Sequence, residues 1–382
     1  MGHTTRARPI FKLLEVTTIG HRGQIRAHHE RDKRIGNKIL TPETRPARAC
    51  RLQSVVGVVV GVVGVVDAPE IAELDVSLRR GPEAATTDTI NHERLMGSME
   101  EGHFEGSGDL TLYYRAWRAE AARAVMVIVP GFNAHSGYYE WVATQLAERG
   151  ITTYALDLRG RGNSEGERFF VEKFSDYTDD VAKMVTLAKA REPGLPLFML
   201  GHSAGGVVSC LYALDHQAEL AGLVCESFAY QVPAPDVALS ILKGLSHLAP
   251  HAHVLRLKNE DFSRDPRAVA VMNADPLIAN EVQPTLTVAE MVRADERLKR
   301  EFPRITLPLL ILHGTLDKAA KPSGSQSFFE AAGSKDKTLR LYEGYFHDPL
   351  QDLGKEQVMA DVLAWLEVRL VQVSGKGAAG TE

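Results

Sequence analysis

Apolar residues recur along this chain with two different periods, and the alternation between them predicts most of its elements. The continuous apolar run at residues 124–129 has strand length and no polar face, as in strands buried on both sides of a sheet, the apolar run at 196–200 has strand length too, and residues 151–156 are strand-like. Residues 220–225, 305–312 and 338–342 are further strand-like stretches. Between them, apolar positions return every three or four residues over about 138–149, 175–191 (with Ser175 as N-cap), 207–214, 323–332 and 353–371, which predicts helices. Ahead of the first buried run, residues 99–105 and 109–117 are strand-like and are joined by Gly106-Ser107-Gly108, a hairpin pattern. Strand and helix in turn predict an α/β fold with a mainly parallel, doubly wound sheet. The short initial strands would extend one edge.

The alternation stops over residues 228–304, which carry helical runs and prolines but no strand like the others. An insertion of that size between two strands becomes a helical cap over the carboxyl edge of the sheet. Its first helix carries Val237, Ala238, Ile241, Leu242, Leu245 and Leu248, more apolar surface than one core-facing stripe requires. The excess serves either tight packing on the core or a face for an acyl chain or a membrane surface. The expected organisation is a core of residues 96–227 and 305–373, the cap at 228–304, and a Gly-rich flexible tail at 374–382.

Charge sets the first 95 residues apart. Residues 1–51 hold twelve Lys/Arg against four Asp/Glu, a net of +8, so the chain's −5 leaves −13 for the rest. An acidic body offers no general footprint for nucleic acid. Residues 55–66 are valine and glycine only, shorter than the roughly 20 apolar residues of a membrane span. A signal peptide has an apolar segment of this length, but its basic start is short, whereas here it runs fifty residues. An unusual targeting segment, a disordered basic arm and a stretch outside the native protein compete as readings. Met96 and Met99, immediately before the first clear pattern, favour the last. Three widely spaced cysteines, Cys50, Cys210 and Cys225, fit no zinc spacing and no secreted disulfide framework, and so point to a reducing, cytoplasmic home.

The chemistry is concentrated after the run at 196–200, where Gly201-His202-Ser203-Ala204-Gly205 precedes a helical stretch. A serine on a sharp strand-to-helix turn is lifted clear of the sheet, and the glycines leave room for it. A serine hydroxyl needs a base, and the base an orienting acid. In such a sheet the partners follow in the order acid, then histidine, each just past a strand end. Asp317 and His347 hold those places; Glu226, at another strand end, is the weaker candidate acid. His202 cannot swing round to the serine beside it and reads as a buried structural residue. His313 lies too close to the strand to be the base, and His247, His251 and His253 belong to the cap. The oxyanion hole is expected from the backbone N–H groups of Phe132 and Ala204. The loop from Asp157 to Ser164 lacks the spacing of a dinucleotide fingerprint and reads as structural. No motif implies a cofactor or a metal.

With these residues in place, residues from about 99 to 371 resemble the monoacylglycerol lipase and lysophospholipase branch of the α/β-hydrolases. Gly-His-Ser-Ala-Gly-Gly at 201–206, Asp-Leu-Arg-Gly-Arg-Gly-Asn-Ser-Glu-Gly-Glu-Arg at 157–168 and His135-Ser136-Gly137-Tyr138-Tyr139 carry the resemblance. Asp275-Pro276-Leu277-Ile278, Asp336-Lys337-Thr338-Leu339 and Tyr342-Glu343-Gly344 extend it. It implies the α/β-hydrolase fold, a mobile apolar cap, and hydrolysis of esters with one long acyl chain and a small alcohol. The apolar surface of the first cap helix is where peripheral membrane or lipid contact is expected. The chain departs from the family at Pro130-Gly131, where His-Gly is usual. It also has Ala134, Tyr138 and Leu350 where polar groups would meet glycerol. A site without such partners has little means of preferring a polyol to a plain alcohol. A cofactor-free haloperoxidase or C–C hydrolase on the same triad is the alternative enzyme, and a non-catalytic binding protein the alternative outside catalysis.

Overall fold

A computed structural model describes residues 99–232 and 234–378; the expectations for residues 1–95 and 379–382 lie outside them. The chain order is β1 (Met99–Glu105), β2 (Thr111–Trp117), β3 (Ala124–Val129), α1 (Glu140–Ala147), β4 (Ile151–Leu156), α2 (Phe174–Arg191), β5 (Leu197–His202), α3 (Ala204–His216) and β6 (Gly222–Glu226). There follow α4 (Asp236–Leu245), β7 (His253–Leu255), α5 (Pro266–Ala274), β8 (Gln283–Pro284) and α6 (Thr285–Glu301). The chain returns to the sheet with β9 (Leu309–Gly314), α7 (Pro322–Ala331), β10 (Lys337–Tyr342) and α8 (Lys355–Ala378).

Eight strands form one sheet in the order β1-β2-β4-β3-β5-β6-β9-β10. β1 and β2 join it antiparallel, and every pair from β4 to β10 is parallel. Every residue of β3, β4, β5, β6 and β9 is buried, as expected for strands covered on both faces, whereas β10 at the sheet edge is mostly half-buried or exposed. One face is covered by α2, α3 and α7, with Val181, Val207 and Phe328 in a shared cluster. The other is covered by α1 and α8, with Val142, Val362 and Trp365. This is the doubly wound α/β-hydrolase architecture.

Several boundaries differ from the sequence reading. β2 starts at Thr111, because Ser107–Asp109 form a short turn in which Asp109 takes φ 60°. β9 starts at Leu309, after Pro308, rather than at 305, and runs on to Gly314. β6 is shifted to Gly222–Glu226. α2 begins at Phe174, so Ser175 is not its cap; the Asp176 carboxylate reaches back to the Lys173 N–H instead. α8 continues to Ala378, past the expected end at 371 and into the stretch read as a tail.

The insertion between β6 and β9 holds a short antiparallel pair, β7 with β8, that the sequence did not announce. It also divides in its packing. α6 buries Met291, Ala294 and Leu298 in the main core cluster. α4 lies outside against α6 and leaves Val237 and Ile241 more than half exposed, at 71% and 66%. Thr287 ties α6 down further, accepting from the Val171 N–H at 3.0 Å and donating to the Phe169 carbonyl at 3.1 Å. Among the described residues, no helix is long and apolar enough to cross a membrane.

Candidate active site

The carboxyl ends of β5, β9 and β10 meet at one rim of the sheet. Ser203 sits between β5 and α3 at φ 55° and ψ −119°, a left-handed conformation that costs a serine of order 1–3 kcal/mol. Its surroundings hold it there: the Ser203 N–H donates to the Glu226 carbonyl at 2.9 Å, and its own carbonyl accepts from Gly206 and Ala229. The turn also needs Gly205, where a Cβ would stand 2.0 Å from the Val129 carbonyl oxygen.

His347 Nε2 lies 2.8 Å from Ser203 Oγ, and its Nδ1 lies 2.7 Å from Asp317 Oδ2. A carboxylate only accepts, so Nδ1 carries the proton there and Nε2 is left free to take one from the serine. Asp317 is fixed through both oxygens. Oδ1 accepts from the Ala319 and Ala320 N–H groups at 2.8 and 2.9 Å, and Oδ2 also receives His313 Nε2 at 2.9 Å. Burial alone would raise the carboxyl's pKa, but the charge of His347 and the hydrogen bonds from His313 and His347 outweigh it. They hold Asp317 well below the usual carboxylate range. His313 is itself oriented by Ser325 Oγ, 2.7 Å from its Nδ1. A proton can therefore pass from Ser203 to a histidine whose cationic form faces a permanent carboxylate.

Both ring nitrogens of His347 are thus occupied, and Glu226 has no place as the orienting acid. Its carboxyl is buried behind the nucleophile, where Oε1 accepts the Leu350 N–H at 2.8 Å. Burial first, and then the neighbouring Asp348, push Glu226 well up; burial pushes Asp348 up to about 7 against the pull of His347. His202 is 1% exposed and donates through Nε2 to the His347 carbonyl at 3.3 Å. Burial and the adjacent His347 lower its pKa to about 3, so it stays neutral. His202, Glu226 and Asp348 bring ligand-type atoms within 4.8 Å of one another. Burial raises both carboxyls, which favours protonation over ionisation in this cluster.

The loop after β3 lies directly over the serine. A Cβ on Gly131 would come within 2.8 Å of the Ser203 Cβ, so only glycine lets the backbone approach this closely. Among the described residues, neither the Phe132 N–H, in that loop, nor the Ala204 N–H, at the start of α3, has an acceptor. Two such donors beside one hydroxyl can hold a developing oxyanion. A cavity of about 340 Å³ is lined by the next two residues of that loop, Asn133 and Ala134, with Tyr138, Phe262, Asp348 and Gln351 among others. The Phe262 ring stands edge-on to His347 with centroids 4.9 Å apart, which places the cavity beside the base. Tyr138 lines this cavity, but its hydroxyl donates to cap residue Asp275 at 2.7 Å, as does His135 Nε2 at 2.8 Å. His251 lies away in the cap, 2.7 Å from Glu167 and stacked on Phe170.

Two residues that the sequence reading passed over stand behind the loop. Arg161 is fully buried and paired with Glu281 of the cap, which also takes the Asn133 N–H. The only hint was an arginine set between two glycines at 160–162, taken there as part of a structural loop. Nothing local marks Glu281, which lies 120 positions away.

Comparison with known proteins places these features in a family. Residues 120–354 match the family described as serine aminopeptidase, S33. The chain is 31% identical over 277 residues to the monoacylglycerol lipase of Mycolicibacterium smegmatis, covering 71% of this chain and 98% of that protein. It is 30% identical over 273 residues to the human monoglyceride lipase, covering 70% and 90%. Among solved structures, the monoacylglycerol lipase of Paleococcus ferrophilus superposes with a TM-score of 0.61 at 28% identity, covering 68% of this chain and 99% of that one.

Proposed function

Since the chain belongs to the serine aminopeptidase S33 family and is a carboxylic ester hydrolase of its monoacylglycerol lipase-like branch, we propose that Ser203, His347 and Asp317 carry its reaction. The substrates are monoacylglycerol-like esters. The observation that carries the assignment is the continuous relay of 2.8 and 2.7 Å from hydroxyl through imidazole to carboxylate. Ser203 Oγ attacks the ester carbonyl while His347 Nε2 takes its proton, and Asp317 stabilises the imidazolium. The tetrahedral oxyanion rests on the Phe132 and Ala204 N–H groups. His347 returns the proton to the leaving alcohol, and the same steps with water release the acid from the acyl-enzyme.

The cavity beside His347 receives the alcohol. Tyr138 spends its hydroxyl on Asp275, Ala134 has none, and Leu350 is wholly buried, so none of these three positions rewards extra hydroxyls. Turnover should therefore be similar for plain alkyl esters and for 1- and 2-monoacylglycerols of equal acyl length. The exposed apolar side of α4, with Val237 and Ile241, is the face for a lipid surface.

Fluorophosphonate labelling with mass mapping of the adduct tests the nucleophile. Kinetics on p-nitrophenyl esters of graded chain length, beside both monoacylglycerols, test the substrate. Label on a serine other than Ser203 would refute the triad; turnover of peracids or diketones in preference to esters would refute the reaction.

A further inference from the structure

The reaction as derived leaves one buried assembly without a part. Arg161, on the loop after β4, is 1% exposed, and Glu281 of the cap is 3% exposed. Glu281 Oε1 accepts from the Asn133 N–H at 3.0 Å, from Gln283 Nε2 at 2.6 Å, and from the Arg161 guanidinium. That guanidinium also donates to Gln283 Oε1 at 2.7 Å and lies 4.0 Å over the centre of the Phe132 ring. A second cap residue, Asn259, accepts from Asn133 Nδ2 at 3.0 Å. The residue that offers its N–H to the oxyanion is thus gripped by its ring, and the next residue by both its backbone and its side chain.

Two physical points turn this contact list into a role. Asn133 takes φ 52°, in the left-handed region, and such a conformation persists in a non-glycine residue only where its surroundings impose it. Here three partners impose it, Glu281, Asn259 and the Leu257 carbonyl, and all three come from the cap. A carboxylate and guanidinium this deeply buried are also a poor device for stability, because an apolar pair of equal volume would do as well or better. What the pair supplies is direction.

We propose that Arg161 and Glu281 are positioning residues for the oxyanion hole, so that the hole is complete only while the cap is seated on the core. This rests on the assignment of the Phe132 N–H as an oxyanion donor. Glu281 and Asn259 hold the loop through Asn133, and Arg161 holds it through the Phe132 ring, keeping the Phe132 amide aimed above Ser203. Drift of this loop weakens binding of the charged transition state and leaves binding of the neutral ester unchanged. The effect therefore falls on kcat and spares KM.

The test compares the wild type with Arg161→Met/Glu281→Leu, which removes both charges at similar volume, and with Asn259→Ala, which removes only the other side-chain anchor from the cap. The measurements are kcat and KM on a short-chain p-nitrophenyl ester, Ki for an alkyl trifluoromethyl ketone whose serine adduct carries the oxyanion, and the thermal midpoint. For the double variant, kcat should fall by about tenfold or more, with KM within about twofold and ketone affinity weakened by the same factor as kcat. Asn259→Ala should show the same pattern at about threefold. Wild-type kcat and ketone affinity in the double variant, whatever its thermal midpoint, would make the assembly structural only and overturn the proposal. If the double variant does not fold, Asn259→Ala decides alone, by the same criterion. A wild-type enzyme that neither turns over esters nor labels at Ser203 would instead undo the esterase reading itself.

Discussion

At the scale of single residues, the proposed triad stands apart because its members are far apart in sequence yet held by short bonds. Ser203→Ala should lower kcat on esters by several orders of magnitude, on the order of 10⁶ as in another serine hydrolase. Residual turnover within about tenfold of wild type would refute the nucleophile. Asp317→Asn keeps the shape but lets the amide favour the wrong histidine tautomer, so a loss of roughly 10⁴ is expected in the same assay. Arg161 behaves differently. Replacing Glu281 alone with alanine leaves a buried guanidinium without its counter-charge, and unfolding in urea should show a loss of about 3–5 kcal/mol. Ser203, Asp317 and His347 were legible in the sequence because each follows a strand run of recognisable length. Arg161 and Glu281 were not, since a charged residue in a loop is usually solvated, and only the folded chain puts this pair out of water.

At the scale of elements, α4 is the part whose role composition could not decide. Its apolar residues would suit either core packing or a lipid surface; the helix ends at Leu245, short of Leu248, and the structure leaves Val237 and Ile241 on it, and Leu248 in the turn after it, outward at 71%, 66% and 85% exposure. An apolar face this exposed on a helix above an esterase site suits an interfacial substrate. Val237→Ser/Ile241→Lys should reduce cosedimentation with phospholipid vesicles and slow turnover of vesicle-borne monoacylglycerol by severalfold. A dissolved short-chain ester should be hydrolysed at the wild-type rate. Equal losses on both substrates would place the face in the catalytic pathway and not at a membrane. The other half of the insertion, α6, has the same helical period in sequence, yet it packs into the main core. Which of two amphipathic helices meets the core depends on the connections and on the shape left by α2 and α3, not on either helix's own pattern.

At the scale of the whole molecule, the rim of the sheet concentrates buried ionisable groups whose combined titration shapes stability. Unfolded, Glu226 and Asp348 would release their protons near 4; folded, burial raises both, Asp348 to about 7 and Glu226 well above its ordinary range. Between about 4 and 7 the native state binds more protons than the unfolded one, so stability falls as pH rises, by at most about 1.4 kcal/mol per pH unit for each proton retained. Asp317 acts in the opposite sense but only in acid. Its contribution is present above the unfolded carboxylate range and is lost as pH falls through its depressed folded value. Glu226→Gln should flatten the decline between pH 5 and 7, read from urea unfolding at each pH. A decline of unchanged slope would show that the pair does not retain the proton.

What the chain's pattern determined by itself is everything that local physics encodes. Apolar runs of strand length bounded by turn residues read as strands buried on both faces, their alternation with helical periods argues for a parallel sheet, and glycines at 201 and 205 make room for a serine at the turn. Tertiary structure decided the contacts that depend on which distant segments meet. The 120-residue span from Arg161 to Glu281, the carboxyl pair beneath His347 and the outward turn of α4 all follow from how the insertion folds back over the rim, and no period or spacing along the chain records that.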